Sequence, residues 1–104
     1  MEQLHLIKRT IEIKSNGEDA AVATIIRTKG STPRKTGSKM IIFPTGRIEG
    51  TIGGGCGEAE VIEKALKVIQ SNNPIKHIVD LTKGLYYEDG GICGGIMELY
   101  IEKV

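Results

Sequence analysis

The stretch Gly50-Thr51-Ile52-Gly53-Gly54-Gly55-Cys56-Gly57-Glu58-Ala59-Glu60 decides the fold, because it joins an apolar run to a helical pattern through an almost bare backbone. Glycine lacks the Cβ that disfavours positive φ angles, so three consecutive glycines permit a tight concave turn. Downstream, apolar residues recur at the helical spacing i, i+3, i+4, i+7, at Ile62, Ala65, Leu66 and Ile69. We therefore expect a strand, a glycine turn and then a helix over Glu58–Ser71.

A glycine turn that leads into a helix is suited to binding an anion. The unpaired N–H groups and the positive end of the helix dipole point outward there. Cys56 precedes the predicted helix, where the dipole favours the thiolate. Glu58 opposes this interpretation, because a carboxylate in the first turn repels an anion unless it points away. Its alternative role is to satisfy the helix terminus itself. The turn matches neither the dinucleotide-binding pattern nor the P-loop pattern.

A helix and a β-hairpin are among the elements predicted upstream of this stretch. Leu4, Ile7 and Ile11 form an apolar stripe on a first helix, which ends at Ser15-Asn16-Gly17. Pro44-Thr45-Gly46-Arg47 predicts a hairpin turn, because proline fixes φ and glycine supplies the tight bend. The strands of this hairpin are Lys39–Phe43 and Ile48–Ile52.

Three further strands complete the prediction. Ala20–Ile26 is apolar except for Thr24, which is typical of a strand buried on both faces, and Ile75–Leu81 is predicted to be another buried strand. Met97, Leu99 and Ile101 alternate with polar residues, which predicts a half-exposed final strand at a sheet edge. We therefore expect a single α/β domain over residues 1–104, with a mixed sheet of about five strands and two main helices.

A basic loop follows the first strand, over Thr28–Ser38. Cations are interleaved there with hydroxyl groups and glycines, at Lys29, Arg34, Lys35 and the adjoining Lys39. One interpretation is a solvated surface loop. The other is an arm that contacts phosphate, in which Arg34 offers a planar fork of donors and the hydroxyl groups offer neutral donors.

The two cysteines, Cys56 and Cys93, are both embedded in glycines but lie far apart in the sequence. They could be two buried, inert thiols, or two thiolates that converge on one cavity if their loops meet. Metal binding together with His5 and His77 is numerically allowed, but no pair has the spacing of a zinc site.

Composition excludes several classes of function. The formal net charge of +1 argues against a dedicated nucleic-acid or membrane-surface protein. No apolar run approaches the roughly 20 residues that span a bilayer. The start of the chain, at Met1–His5, is unlike a secretory signal, and two cysteines do not suggest a disulfide framework. A cytoplasmic protein with reduced thiols is expected.

Three ordered motifs resemble those of the XdhC/CoxI family. Gly30-Ser31-Thr32-Pro33-Arg34 with Gly37-Ser38-Lys39-Met40 is similar to the family's Gly-Ser-(Thr/Ala)-Pro-Arg and Gly-(Ala/Ser)-Lys-Met signatures. Gly50–Ala59 resembles its Gly-Ser-Ile-Gly-Gly-Gly-Cys-x-Glu-Ala motif, and Cys93-Gly94-Gly95 resembles its Cys-Gly-Gly element. Together these stretches cover roughly residues 20–102, and their order makes the signal specific.

The resemblance implies an accessory protein that binds the molybdenum cofactor (molybdopterin) as cargo, assists its sulfuration and inserts it into a xanthine dehydrogenase-type molybdenum hydroxylase. It implies no turnover and no catalytic residues. The motif positions that would bind the cofactor are Ser31, Pro33, Arg34, Lys39, Gly53, Gly54, Gly55, Cys56, Glu58, Cys93, Gly94 and Gly95. Of these, Cys56 and Cys93 would face the molybdenum.

The resemblance also implies partners. The first is the hydroxylase apoenzyme; a cysteine desulfurase and a second copy of the chain are further candidates. Typical members carry a C-terminal Rossmann-like domain, which these 104 residues do not include, so a separate Rossmann-domain chain is another candidate.

Two rival functions remain open on the sequence. The first is a thiol-based redox or sulfur-transfer protein that uses Cys56 with Cys93 as the resolving thiol. The second is a regulatory or scaffold protein that binds no cofactor.

Overall fold

A computed structural model of the chain describes residues 2–53, 55, 57–82 and 94–104. Two helices and five strands lie within these residues. In chain order they are α1 (Glu2–Ser15), β1 (Ala21–Lys29), β2 (Lys39–Ile42), β3 (Ile48–Gly50), α2 (Glu58–Ser71), β4 (Ile75–Asp80) and β5 (Ile96–Lys103). The expected α/β class with five strands and two helices is confirmed, and so are the bounds of α2.

The five strands form one sheet in the order β3-β2-β1-β5-β4. All four pairings are antiparallel, whereas a mixed sheet was expected. The physical reason is the length of the α2 crossover. It carries the chain from β3 at one edge of the sheet to β4 at the opposite edge. These two strands run in the same direction but are not neighbours, so no parallel pair forms.

Helix α2 covers one face of the sheet and builds the main core. Its buried residues are Val61, Ala65 and Val68. They pack against alternate residues of the strands, among them Ile25, Met40, Val79, Met97, Leu99 and Ile101. This alternation follows the two-residue period of a strand, which places every second side chain on the same face.

Helix α1 lies on the other face, where it covers only the β2–β3 side. The side chains that it buries are Leu6 and Ile13, together with Ile41 and Phe43 of the sheet. The predicted stripe of Leu4, Ile7 and Ile11 is 48%, 44% and 62% exposed, respectively. An apolar stripe of a helix normally faces the core, but this one does not form the buried face of α1. Both Leu6 and Ile13 lie on one side of the helix because they are seven positions, or two turns, apart.

The rest of this second face is uncovered, which corrects three expectations about strands. In β1, buried residues alternate with half-buried ones, so β1 is not buried on both faces. In β4, an edge strand, Ile78 is 60% exposed. The β5 strand shows the predicted alternation but lies between β1 and β4, not at an edge. Its polar residues alternate because the face opposite α2 is open.

The local turns agree with the residues that were predicted to form them. In the β2–β3 hairpin, Phe43 N–H donates to Arg47 O at 2.9 Å, and Gly46 takes a φ of 89°. After α1, Gly17 takes a φ of 68°, as a residue following a helix C-terminus commonly does. None of the described helices is long and apolar enough to cross a membrane.

Candidate functional site

The three motif segments emerge from the same end of the sheet. At this end β1 finishes at Lys29, β2 starts at Lys39, β3 finishes at Gly50, β4 finishes at Asp80 and β5 starts at Ile96. The basic loop, the glycine turn and Gly94-Gly95 therefore share this end, which we call the motif end. Helix α2 also begins here.

The basic loop is anchored at its base and has free cations toward its tip. Gly37 N–H donates to Ile25 O at 2.7 Å, and Ile25 N–H donates to Ser38 O at 2.9 Å, which extends the β1–β2 pairing into the loop. Arg34 and Lys35 are exposed, and neither has an ion pair among the described residues. Their charges are therefore not neutralised within the described part of the chain.

An open depression of about 540 Å³ lies within this loop. Four hydroxyl residues, one glycine and one cation line it: Thr28, Ser31, Thr32, Thr36, Gly30 and Lys35. Thr32 Oγ1 donates to Arg34 O at 3.0 Å, which orders the tip of the loop. Hydroxyl donors beside a cation are the groups that bind a phosphate oxygen.

The basic loop lies against Gly94 and Gly95. A Cβ at Gly30 would lie 3.2 Å from Gly94 O, and a Cβ at Gly95 would lie 2.6 Å from Lys29 O. Leu81 N–H donates to Gly95 O at 2.8 Å, which joins this contact to the end of β4. The missing side chains thus allow two of the three motifs to touch.

A side-chain hydrogen bond joins the two ends of the glycine turn, and we call it the Thr51–Glu58 clasp. Thr51 Oγ1 donates to the carboxylate of Glu58 and accepts a hydrogen bond from Gly53 N–H at 3.0 Å. The sequence offered an end-capping role for Glu58, but here its carboxylate reaches the start of the turn. No spacing rule of helices or strands signals a contact between residues seven positions apart across a turn.

The start of α2 is packed tightly against β4. Gly57 precedes the helix at a φ of 78°, and a Cβ there would lie 2.5 Å from Val79 Cγ1. Gly57 caps the helix without a side-chain hydrogen bond. The absence of the Cβ therefore brings the N-terminus of α2 directly onto the sheet.

A histidine–carboxylate pair that the sequence did not indicate also joins α2 to β4. His77 Nε2 lies 2.5 Å from Glu60 Oε2, and both side chains are half-buried. Only the packing of the helix on the sheet brings the two residues together, so periodicity within either element could not reveal them.

The remaining site predictions are distributed as follows. Ser31 and Pro33 are exposed in the basic loop, Gly53 and Gly55 lie in the glycine turn, and Gly94 is exposed while Gly95 is buried. Lys39 is separate from the loop tip, because its Nζ donates to Thr24 Oγ1 at 3.1 Å. Gly54, Cys56 and Cys93 lie outside the described residues, so the convergence of the thiols stays a prediction. The described ranges contain no cluster of three potential metal ligands.

This geometry defines a class of protein. It is an antiparallel α/β domain that carries a basic loop and a glycine turn at one end of its sheet. The chain belongs to the XdhC and CoxI family, whose sequence profile matches residues 13–80. That match covers β1–β4 and α2, with the basic loop and the glycine turn between them.

Individual proteins agree with this family. The uncharacterized protein YqeB of Escherichia coli K12 is 37% identical over 81 residues, 78% of this chain and 15% of its own length. A probable xanthine dehydrogenase subunit of Bacillus subtilis 168 is 32% identical over 89 residues, 84% and 27% of the respective lengths. The molybdenum cofactor insertion chaperone PaoD of E. coli K12 is 29% identical over 100 residues, 95% and 31%.

The fold is similar to that of a solved protein. The crystal structure of a xanthine dehydrogenase from Bacillus halodurans matches with a TM-score of 0.82 and 29% identity. The match covers all of this chain and 31% of that chain. The chain thus spans less than a third of each of these similar proteins.

Proposed function

We propose that this chain is a maturation factor for a xanthine dehydrogenase-type molybdenum hydroxylase. It binds the molybdenum cofactor as cargo at the motif end, assists its sulfuration and delivers it to the apoenzyme. Membership of the XdhC and CoxI family supports this role, as does similarity to a molybdenum cofactor insertion chaperone and to a probable xanthine dehydrogenase component.

The observation that carries the proposal is the meeting of the motif segments at one sheet end. A structural role for each motif would not require the basic loop, the glycine turn and Gly94-Gly95 to share that end. The loop contributes unneutralised cations, and the turn leads into the positive end of the α2 dipole. Such an end suits an elongated anionic ligand.

The groups present fit the two chemically distinct parts of the cofactor. Its phosphate matches the depression of the basic loop, where Lys35 and hydroxyl groups line the wall and Arg34 lies at the tip. Its metal end carries soft sulfur ligands, which match the thiols of Cys56 and Cys93 by chemistry alone. Binding and transfer require no acid–base pair.

The proposal extends to partners. The hydroxylase apoenzyme receives the cofactor, and a cysteine desulfurase supplies sulfur to it while it is bound. A separate Rossmann-domain chain and a second copy of this chain are further partners in the proposal. Neither a nucleic acid nor a membrane is part of the proposed cycle.

The test is retention and transfer of cofactor under anaerobic conditions. The chain is mixed with cofactor released from a molybdenum hydroxylase and passed over a gel-filtration column. Molybdenum and pterin fluorescence are then measured in the protein peak, and the loaded protein is added to apoenzyme. Coelution of both signals, followed by recovery of hydroxylase activity, is expected.

A pair of charge-reversal variants makes this test specific. Arg34→Glu places a negative charge on the basic loop, whereas Lys14→Glu places one on exposed α1 at the opposite end. Arg34→Glu should lose most of the retained cofactor, and Lys14→Glu should retain it. Persulfide or disulfide turnover without bound pterin would instead support the sulfur-transfer alternative, and apoenzyme binding alone would support the scaffold alternative.

A further inference from the structure

A second groove opens beside the basic loop, on the sheet face that α2 leaves uncovered. It has a volume of about 450 Å³ and is lined by Arg27, Thr28, Lys29, Ile78, Ile96 and Glu98. Thr28 also lines the depression of the basic loop. The two hollows therefore adjoin at Thr28.

Glu98 is the distinctive group in this groove. Its side chain is only 21% exposed, and it accepts no hydrogen bond from any described residue. The Arg27 guanidinium approaches it to 3.8 Å, but the Arg27 side chain is 79% exposed. The Glu98 oxygens therefore still face the groove as acceptors, and a ligand with two donors can hydrogen-bond to them there.

The register of the sheet places apolar walls around this carboxylate. Glu98 is paired with Ile78 on β4 and with Arg27 on β1, and Ile96 is two residues away on the same face. A β-bulge between Ile25 and Arg27 shifts the register of β1 at this point, so that Arg27 is opposite Glu98. Two isoleucines and a guanidinium plane are surfaces on which a flat ring can pack.

We propose that this groove binds a flat heterocycle with a 2-amino-4-oxopyrimidine edge, and that Glu98 recognises that edge. The ring N–H and the adjacent amino group are two parallel donors, and a carboxylate accepts both. A pterin and a guanine share this edge. The inference rests on the proposed function, in which the pterin of the cofactor occupies the groove while its phosphate occupies the basic loop.

The test uses free compounds that contain no molybdenum. Neopterin and guanosine monophosphate are titrated into the chain, with binding followed by pterin fluorescence and by equilibrium dialysis. Lumazine, which lacks the 2-amino group, is the matched ligand control. Neopterin should bind, and lumazine should bind at least about tenfold more weakly. Binding of neopterin but not of the nucleotide assigns the groove to a pterin, and the reverse assigns it to a guanine.

Two variants on one strand separate Glu98 from a general effect of charge. Glu98→Gln keeps the size but replaces one acceptor with a donor, and should raise the dissociation constant for neopterin about tenfold or more. Glu102→Gln makes the same change on the same sheet face but at an exposed position outside the groove, and should leave it unchanged. Circular dichroism of both variants checks the fold.

Equal affinity of wild type and Glu98→Gln for whichever of neopterin and guanosine monophosphate binds would overturn the proposal, as would measurable and equal binding of lumazine and neopterin, or no binding of either neopterin or the nucleotide. Retention of the complete cofactor is measured on the same proteins. If wild type and Glu98→Gln retain it equally, the maturation role stands and the groove assignment fails. If neopterin binds through Glu98 but wild type retains no cofactor, the groove assignment stands and the maturation role fails.

Discussion

Arg9 of α1 and Glu49 of β3 form a two-point ion pair, in which Arg9 Nε donates to Glu49 Oε1 at 3.0 Å and Nη2 donates to Oε2 at 3.4 Å. Arg47 also donates to Glu49, at 3.1 Å, and both guanidinium groups lie over the ring of Phe43. This cluster attaches α1 to the β2–β3 hairpin, and thus holds the strand that leads into the glycine turn.

The first prediction concerns acid stability. The hydrogen bond from Arg9, and then that from Arg47, hold the pKa of Glu49 below its usual value. Because this pKa is lower in the folded chain than in the unfolded chain, ionised Glu49 stabilises the fold above its usual pKa. This contribution is lost as the pH falls through the depressed pKa. Glu49→Gln should therefore lower the melting temperature at pH 7 by a few degrees.

The dependence on pH distinguishes this effect from simple packing. The difference in melting temperature between wild type and Glu49→Gln should shrink as the pH falls below the usual pKa of a glutamate, about 4.3, and on through the depressed pKa of Glu49. Glu12→Gln is the matched control, because Glu12 also contacts Arg9 but its side chain is 64% exposed. Parallel curves for wild type and Glu49→Gln across the whole pH range would contradict the prediction.

The second prediction tests which face of α1 is buried. Ile13 is fully buried, whereas Ile11 is 62% exposed. Ile13→Ala should lower the free energy of unfolding by about 2–5 kcal/mol, as large-to-small core substitutions do. Ile11→Ala should change it by about 0.5 kcal/mol or less. Urea unfolding measures both, and a larger loss for Ile11→Ala would restore the stripe of Leu4, Ile7 and Ile11 as the buried face.

Helix α1 shows a case in which the sequence pattern is not sufficient to predict which face of a helix is buried. The predicted stripe of α2 lies against the core, but its centre is displaced. The buried residues are Val61, Ala65 and Val68, whereas Ile62, Leu66 and Ile69 of the stripe are only partly buried. In α1, apolar residues occur on two sides, and only the position of the hairpin selects Leu6 and Ile13. Similarly, alternation in β5 predicts one open face, but an interior strand of a half-covered sheet shows the same alternation as an edge strand.

Some parts of the candidate site can be predicted from the sequence, and other parts cannot. The basic loop and the glycine turn are visible in the sequence, because cations and glycines mark them locally. Their common location follows from strand directions, which local patterns do not specify. The Thr51–Glu58 clasp, the Glu60–His77 pair and the setting of Glu98 depend on how the elements pack.

The third prediction concerns the entry to α2. Gly57→Ala should destabilise the fold through two effects, a left-handed backbone conformation that costs about 1–2 kcal/mol and a clash with Val79 that costs about 1–3 kcal/mol. Gly17→Ala is the control, since Gly17 has a similar φ of 68° but open space around it. It should show only the backbone cost in thermal and urea unfolding.

A double substitution separates the two effects at Gly57. Val79→Ala removes the methyl groups that a Cβ at Gly57 would meet, so the double variant should be more stable than the sum of the two single losses predicts. Simple additivity would show that the clash is relieved in another way.

The last prediction concerns the charge on the basic loop. Arg34 is exposed and has no ion pair within the described part of the chain, so its donors are available to a phosphate. Arg34→Ala should weaken cofactor binding by about 1.5–3 kcal/mol, the range for hydrogen bonds to charged groups, and should leave stability unchanged. Arg34→Lys should recover only part of this loss, because an ammonium group lacks the bidentate fork. Equilibrium binding of the cofactor measures these differences, with Lys8→Ala on exposed α1 as the control for net charge. If both Arg34 variants bind as tightly as wild type, the loop is a solvated surface segment and the phosphate must be bound elsewhere.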